Sequence, residues 1–393
     1  VRVLLVNHTA RTSGAERALL DLVECLGERC ELFAAVPPGR LAGALRERGV
    51  EVAPIVPFEA SLRFDPARTP LGLLSLARAQ LAIAGHVGRV RPAVVFANTP
   101  RAGLMALLAR RLQGVPLVVR VHDNLPARGA GRLVARLLAG AVDAVSCVSR
   151  DTLARFSEAA GGHARAQLGT IHNGIDLGRF RPDPEGAARV RRELELTADA
   201  PLLVQVAQIT PWKGQDIAVR TLAGLRARGM PATLALVGDV AFSGASVRYD
   251  NRSFARELRR LACTLGVADH VRFVGERSDV PAWLTAADLV LVPSWCEPFG
   301  LVTVESMACA TPPLVSREGA GPELVADGDT GVLLPPRDPT AWVVAAETLL
   351  RDRELRLRIG ERARVAAERF DRRRYADAIG RLLWEVAARE VGT

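Results

Sequence analysis

P-S-W-C-E-P-F-G-L-V-T-V-E-S-M-A-C-A-T-P-P-L-V-S, residues 293–316, is the stretch on which the reading of the chain turns. The apolar run Leu289–Val292 enters it as a strand, and Pro298-Phe299-Gly300 turns the chain. A helical pattern starts near Leu301, and a second buried strand follows at Leu314–Val315. A strand, a tight glycine turn and a helix N-terminus together form an anion site, because unpaired N–H groups and the helix dipole converge there. Two acids, Glu297 and Glu305, flank the site and would repel a bare phosphate. A ligand with both phosphates and hydroxyls, a nucleotide sugar, accommodates them: carboxylates accept from vicinal hydroxyls while the helix end faces the diphosphate.

Glu297 and Glu305, with seven residues between them in S-x-x-E-P-F-G-L-V-x-x-E-S-M-A, resemble the signature of the family-4 retaining glycosyltransferases of the GT-B fold. The resemblance is strong over residues 200–335 and loose over 1–170. It implies an α/β chain of two Rossmann-like parallel-sheet domains facing a cleft, with a C-terminal helix returning to the first domain. The implied boundaries are 1–178 plus 376–393 for an N-terminal acceptor-binding domain, and 184–375 for a donor-binding domain.

Length and composition agree with that size of core. The chain has 393 residues, 49% of them hydrophobic, which places it among globular proteins and away from disordered ones. Its richest apolar stretch, Leu71–Val87, is broken by Arg78, Gln80 and His86, so no membrane span is expected. The opening V-R-V-L-L-V-N is too short for a signal sequence and reads as a first strand. Six cysteines without paired spacing (Cys25, Cys30, Cys147, Cys263, Cys296, Cys309) are expected to be reduced core residues of a cytoplasmic protein.

Charge is unevenly spread. Residues 1–180 carry 23 basic and 14 acidic side chains, whereas residues 181–393 carry 29 of each. A positive field over the first half suits an anionic acceptor or anionic lipid headgroups. Nucleic acid is not expected, since the arginine-rich stretch has few interleaved aromatics and no recognised motif. The 52 basic residues are all arginine but one, Lys213. Lysine is a compact point charge and arginine a planar fork, so the two are not interchangeable.

Along the chain, strands recur at Val1–Val6, Glu31–Val36, Val94–Asn98, Leu117–Val121 and Ala144–Val148, with helical patterns between them. The loop after the first contains Gly14-Ala15, where the family usually has Gly-Gly near the donor phosphates. Asn98-Thr99, with Arg101 just beyond, and His122-Asp123 lie at strand ends, where ligands bind in such sheets. His122 resembles the family's histidine that faces the donor sugar. Its implied role is to hydrogen-bond a sugar hydroxyl and support positive charge at the reacting carbon, not to act as a base. Ile171–Asp176, followed by Phe180-Arg181-Pro182, resembles the domain crossover, with Asn173 near the cleft.

The second half reads as strands Leu202–Ala207, Thr233–Val237, Val271–Val274, Leu289–Val292, Pro313–Val315 and Gly331–Leu334. Gln208 to Gln215 resembles the family's G-R-x-x-x-x-K-G loop: Lys213-Gly214 matches, and Gln208 stands where Arg is usual. Residues 239–254, with Tyr249, form a longer, polar loop expected to tune acceptor access. Arg277 follows a strand in the region that reads the base, and Gly319–Glu323 resembles a helix start. Leu71–Val87 and Arg132–Val142 mix Leu, Ala and Arg in a pattern shared by interfacial helices and core-facing ones.

The resemblance therefore implies a bacterial, cytoplasmic transferase, peripheral at the inner face of the membrane. It would move a sugar, from a UDP-sugar by preference, to an acceptor hydroxyl with retention, in glycolipid, polysaccharide or other cell-envelope glycan synthesis. His122, Glu297 and Lys213 would be catalytic. Gly14, Gln208, Lys213, Arg277, Glu297, Phe299, Gly300, Leu301, Val302 and Glu305 would bind donor, with Glu305 on the ribose hydroxyls. Asn98, Thr99, Arg101, Asp123 and Asn173 would face the acceptor. No cofactor or metal is expected, since Lys213 and helix-end amides would stand in for a divalent cation. Two other readings stay open: tailoring of a small soluble natural product, and a nucleotide-binding scaffold whose site has degenerated at Ala15 and Gln208.

Overall fold

The computed structural model describes residues 1–58, 69–126, 128–162, 164–197, 199–240 and 249–391. The chain divides into two compact units, 1–174 with 372–393 and 175–371. The crossings fall a few residues from the expected boundaries, at Gly174 to Ile175 and Asp371 to Arg372.

The N-terminal unit runs β1 (Arg2–Val6), α1 (Gly14–Leu26), β2 (Glu31–Val36), α2 (Arg40–Glu47), β3 (Glu51–Pro54), α3 (Thr69–Val90) and β4 (Val94–Ala97). It continues with α4 (Pro100–Gln113), β5 (Leu117–Val121), α5 (Gly129–Ala141), β6 (Ala144–Cys147), α6 (Arg150–Ala160) and β7 (Gln167–Thr170). All seven strands are parallel, in the order β3-β2-β1-β4-β5-β6-β7. β1 lies between β2 and β4, so the strand order reverses there, the topology that opens a crevice at the strands' C-terminal ends.

The central unit runs α7 (Pro184–Glu193), β8 (Leu202–Val206), α8 (Gln215–Ala227), β9 (Thr233–Val237), α9 (Asn251–Thr264), β10 (Val271–Gly275), α10 (Val280–Ala286) and β11 (Leu289–Val292). Then come α11 (Leu301–Ala308), β12 (Pro313–Ser316), α12 (Gly321–Leu324), β13 (Val332–Leu334), α13 (Pro339–Arg351) and α14 (Arg353–Ala367). Its six parallel strands are ordered β10-β9-β8-β11-β12-β13, with the reversal between β8 and β11. Finally α15 (Arg372–Val391) returns to the first unit and packs on α1.

Both sheets are buried on both faces, which is why their strands read as unbroken apolar runs. In the first unit, α3 to α6 cover one face over a core that includes Met105, Leu138 and Phe156. Helices α1, α2 and α15 cover the other, with Leu19, Leu45, Ile379 and Leu383 inside. Strands β3 and β7 were not expected from the sequence. Both are edge strands whose residues are partly exposed, so E-V-A-P and Q-L-G-T never form an apolar run.

Of the expectations for the apolar stretch and for the cysteines, only the second is corrected. Pro70–Val90 of α3, with mean hydropathy 1.2, is long and apolar enough to cross a membrane by length and composition. One side of it is nonetheless seated on the sheet through Ala79, Ile83 and Val87. The cysteines are all free thiols, but only Cys30, Cys147 and Cys309 are buried, while Cys263 is exposed. Burial pushes the Cys147 and Cys309 thiols up to about 12.

Candidate functional site

Each unit holds its own cluster of polar side chains at the C-terminal ends of its strands. In the central unit the cluster begins with the turn between β8 and α8. A single 3₁₀ turn, Pro211–Lys213, ends at Gly214, whose φ is +69°. A Cβ at Gly214 would lie 2.2 Å from the Pro293 carbonyl oxygen, so only glycine lets this turn pass so close to the end of β11. Gln205 of β8 donates from Nε2 to the Lys213 carbonyl (2.8 Å), and the Trp295 N–H donates to the Trp212 carbonyl (2.9 Å). These contacts fix where the lysine stem starts.

The lysine ends on a carboxylate. Lys213 Nζ donates to Glu297 Oε2 at 2.7 Å, and the Ser294 hydroxyl donates to the same oxygen at 2.7 Å. Both charged side chains are largely buried, 18% and 10% exposed, so the pair is poorly screened by solvent. The ammonium also lies 4.1 Å from the centre of the Trp212 ring, a cation–π contact.

Glu297 is held from behind as well. Its carbonyl accepts from the Ala320 N–H (2.9 Å), and Glu297 bridges to Gly319. Gly319 has φ +79°, and a Cβ there would fall 2.3 Å from the Glu297 carbonyl oxygen. The Gly319–Glu323 segment, expected only to start a helix, is thus also the backing of the acid.

Gly300, at φ +91°, is the N-cap of α11 and turns the chain into that helix. Leu301 and Val302 present its first amides. Phe299 is buried edge-to-face on Phe370, ring centres 6.0 Å apart. Glu305 is buried one turn into the helix. The structure therefore brings together Lys213, Ser294, Glu297 and the α11 start.

Other expected donor residues are placed differently. The backbone carbonyl of Gln208 accepts from Gln215 Nε2 (2.8 Å), which ties the loop to α8. Arg277 is committed elsewhere: four of its five N–H groups go to Asp279 and Glu193, at 2.9 to 3.1 Å. Its guanidinium braces the end of α7 against the start of α10. Residues 241–248 of the expected access loop lie outside the described residues. Tyr249, just beyond, packs edge-to-face on Trp295, 6.1 Å between ring centres.

In the N-terminal unit the cluster is an amide–imidazole chain. Asn98 donates from Nδ2 to Asn7 Oδ1 (3.2 Å) and to the Ala15 carbonyl (3.3 Å). Its oxygen is thereby left to accept from His122 Nε2 (3.3 Å), so His122 carries its proton on Nε2 and presents Nδ1 as an acceptor. Burial, then the charge of Arg120, hold the His122 pKa well below its ordinary value, so the ring is neutral at physiological pH. Thr99 caps α4, accepting from the Ala102 N–H (3.1 Å), and its hydroxyl faces His8 Nδ1 at 3.0 Å. Burial and the Arg101 charge bring the His8 pKa down to about 3. Arg101 has its Nε buried with no hydrogen-bond partner. Asp123 is exposed, and Gly14 stands exposed at the start of α1.

Two residues were not singled out in the sequence. Glu16 is buried beneath the Gly14 turn, accepting from Asn7 Nδ2 (3.2 Å) and the Ser13 N–H (3.0 Å). The spacing Ser13-x-x-Glu16, a capping box, would have found it. Arg120 is wholly buried in the fifth strand, a charge inside an otherwise apolar run, and that was its signal. It donates to the Ser146 hydroxyl (2.6 Å), the Ile171 carbonyl (2.6 Å) and Asn173 Oδ1 (2.8 Å), and lies 5.3 Å from the Tyr375 ring centre. None of these partners is a carboxylate. Asn173, expected near the acceptor, has its oxygen held by this guanidinium. Among the described residues, no three or more His, Cys, Asp or Glu side chains converge as metal ligands.

Two parallel sheets, each with a strand-order reversal and a polar cluster at the strand ends, define a double Rossmann-like chain. Two family descriptions match it: Glycosyltransferase Family 4 over residues 12–179 and Glycosyl transferases group 1 over residues 187–366. The D-inositol 3-phosphate glycosyltransferase of Saccharomonospora viridis is 33% identical over 311 residues, 74% of this chain and 70% of that protein. The GDP-mannose-dependent alpha-(1-6)-phosphatidylinositol monomannoside mannosyltransferase of Mycolicibacterium smegmatis is 33% identical over 274 residues, 66% of this chain and 67% of that one. The D-inositol 3-phosphate glycosyltransferase 2 of Catenulispora acidiphila is 34% identical over 68% of this chain and 65% of its own length. The chain thus spans about two thirds of the length of these curated relatives. Anabaena HepE in complex with UDP is similar over 98% of this chain and all of that one, with a TM-score of 0.82 at 26% identity. The chain belongs to the family-4 glycosyltransferases of the GT-B fold.

Proposed function

We propose that the protein transfers a sugar from a nucleotide-diphosphate donor, a UDP-sugar, to an acceptor hydroxyl with retention at the anomeric carbon. The observation that carries this reading is the Lys213–Glu297–Ser294 triad beside the start of α11. The ammonium and the α11 amides supply positive charge for the departing diphosphate, and Glu297, oriented by its two donors, takes the hydroxyls of the transferred sugar. Glu305 holds the ribose hydroxyls. With Lys213 and Glu297 in contact, leaving phosphate and transferred sugar meet at one point, as they do in a nucleotide sugar.

In the reaction, the bond between the anomeric carbon and the β-phosphate oxygen breaks, and the acceptor oxygen bonds to that carbon on the same face. The acceptor proton passes to the leaving phosphate oxygen, so no side-chain base is required. A neutral His122, acceptor at Nδ1, is suited to take a hydrogen bond from a sugar hydroxyl. Lys213 and the helix end do the work of a divalent cation in this reading. The buried, unpartnered Nε of Arg101, beside Thr99, supports an acceptor with an oxygen to offer it. The named activity of the mycobacterial relative supports an acceptor of the glycolipid kind, those of the D-inositol 3-phosphate relatives a small soluble one, and HepE's complex supports UDP as the carrier.

The test is a thermal-shift panel with UDP, GDP, ADP and TDP, each with and without magnesium. A ligand well above its dissociation constant stabilises the fold by a few kcal/mol. The expected result is stabilisation by UDP, independent of magnesium and lost in Lys213→Ala. A shift by GDP alone would move the donor to a GDP-sugar. No shift with any nucleotide would overturn the donor reading in favour of a scaffold.

A further inference from the structure

Lys213 is the only lysine of the chain, and its ammonium touches two groups of different kinds. Glu297 Oε2, at 2.7 Å, is a counter-charge; the Trp212 ring, its centre 4.1 Å away, is not. The difference bears on how the site can work. An ammonium paired with a carboxylate offers little net charge to a diphosphate, and Glu297 has sugar hydroxyls to take as well. An indole face attracts a cation through its quadrupole and carries no net charge, so it orients the ammonium without neutralising it.

Adjacency in sequence does not produce this contact, since consecutive side chains on a helical turn point apart. Pro211 opens a single 3₁₀ turn and Gly214 closes it. The Lys213 N–H donates to the Thr210 carbonyl (3.0 Å) and the Gly214 N–H to the Pro211 carbonyl (3.1 Å). The lysine leaves the last position of that turn, and its ammonium comes to lie against the ring before it in the chain.

The ring is anchored independently of the ammonium. The Trp212 carbonyl accepts from the Trp295 N–H (2.9 Å). Trp295 in turn has the Arg337 guanidinium carbon 4.5 Å from its ring centre and meets Tyr249 edge-to-face. None of these contacts involves the Glu297 side chain, so a change of partner at the acid leaves them in place. Trp283 and Trp342 are wholly buried, whereas Trp212 is only half-buried, so filling the core does not account for it.

We propose that Trp212 is a positioning residue for the transfer reaction. Its ring keeps the Lys213 ammonium in place and un-neutralised, so that the charge stays available to the departing diphosphate when Glu297 turns to the sugar hydroxyls. The inference rests on the donor reading above.

A single lysine makes the test direct, because protein labelled with ¹³C,¹⁵N-lysine gives the Lys213 side chain as one set of NMR signals. Protons held over an indole face resonate upfield. The Lys213 Cε protons should therefore lie upfield of an ordinary lysine in the free protein and return to the ordinary position in Trp212→Leu. Titration with UDP should move the Nζ signal, as the ammonium gains a new counter-ion, and leave the upfield shift of the Cε protons in place. UDP affinity should fall about tenfold in Trp212→Leu and by less in Trp212→Phe, which keeps an aromatic face. Ordinary Cε proton positions in the free, unsubstituted protein would overturn the proposal, with no variant needing to fold. Loss of the upfield shift on adding UDP would overturn it too, as would equal UDP affinity in Trp212→Leu. A persistent upfield shift with no response at Nζ to either UDP or GDP would overturn the donor reading itself, and this role with it.

Discussion

Lys213 Nζ and Glu297 Oε2 lie 2.7 Å apart although 84 positions separate them in the chain, and Ser294 adds a hydroxyl to the same oxygen. Two groups in such contact act as a unit, so their effects do not add. Lys213→Ala and Glu297→Gln should each lower turnover about a hundredfold or more. The double variant should be no worse than the poorer single one. Steady-state kinetics of the four proteins would show this; additive losses would mean that the contact is incidental to catalysis. Lys213→Arg should not restore activity, because a planar fork cannot replace a point charge at that distance.

Ser294→Ala removes one hydrogen bond to a buried carboxylate, worth about 1.5–3 kcal/mol. Turnover should fall roughly tenfold or more by the same measure. The melting temperature should move less than in Lys213→Ala, which leaves the acid without its counter-charge. A Ser294→Ala enzyme with unchanged kcat would remove the hydroxyl from the site.

Gly319→Ala sets a methyl 2.3 Å from the Glu297 carbonyl, at φ +79°. Gly328→Ala is its control, since φ there is +73° but nothing lies within 4 Å of the added carbon. The control should cost only backbone strain, about 1 kcal/mol. Gly319→Ala should cost more and lower turnover as well, because the chain that holds Glu297 must move. Equal denaturation midpoints and equal activities for the two variants would refute the bracing role.

Two buried imidazoles predict an acid limb of instability. His8 is brought down to about 3 from 6.5 by burial and Arg101, and His122 is held well below 6.5 by burial and Arg120. Once unfolded, both take protons near 6.5 while the native rings stay neutral. Below that value the unfolded chain therefore binds more protons, and stability falls as pH falls. The contribution is complete above about pH 6.5. It declines by up to about 1.4 kcal/mol per pH unit per imidazole, continuing toward about pH 3 for His8. Urea midpoints from neutral pH down to about pH 5 should show this slope, flattened in His8→Gln. A midpoint constant over that window would contradict it.

How much of this was legible follows from what each residue faces. Central strands such as L-V-L-V at 289–292 are covered on both sides and announce themselves as apolar runs. The edge strands β3 and β7 are half wet, and their sequences carry no such signal. Glu297 and Lys213 could be singled out, one by its setting and one by its uniqueness, but no local pattern states that they touch. The ion pair of Arg277 is hidden for the same reason: its partner Glu193 lies 84 positions away, in a helix whose sequence has no bearing on the loop. Arg120 was visible as a charge in a buried strand. Its partners, a hydroxyl, carbonyls and an aromatic ring, are of kinds that every segment offers.

The N-terminal unit is closed by the last helix of the chain, with Tyr375, Ala376, Ile379, Leu383 and Val386 completing the core beneath α1. Residues 175–371, by contrast, are contiguous and need nothing that comes later. During synthesis the order of emergence is therefore not the order of completion. The first 174 residues leave the ribosome with one face of their sheet only partly covered, by α1 and α2, and the unit that follows can be complete without them. A chain truncated after residue 371 should carry a protease-resistant central unit behind a protease-sensitive beginning, the reverse of the usual vectorial sequence.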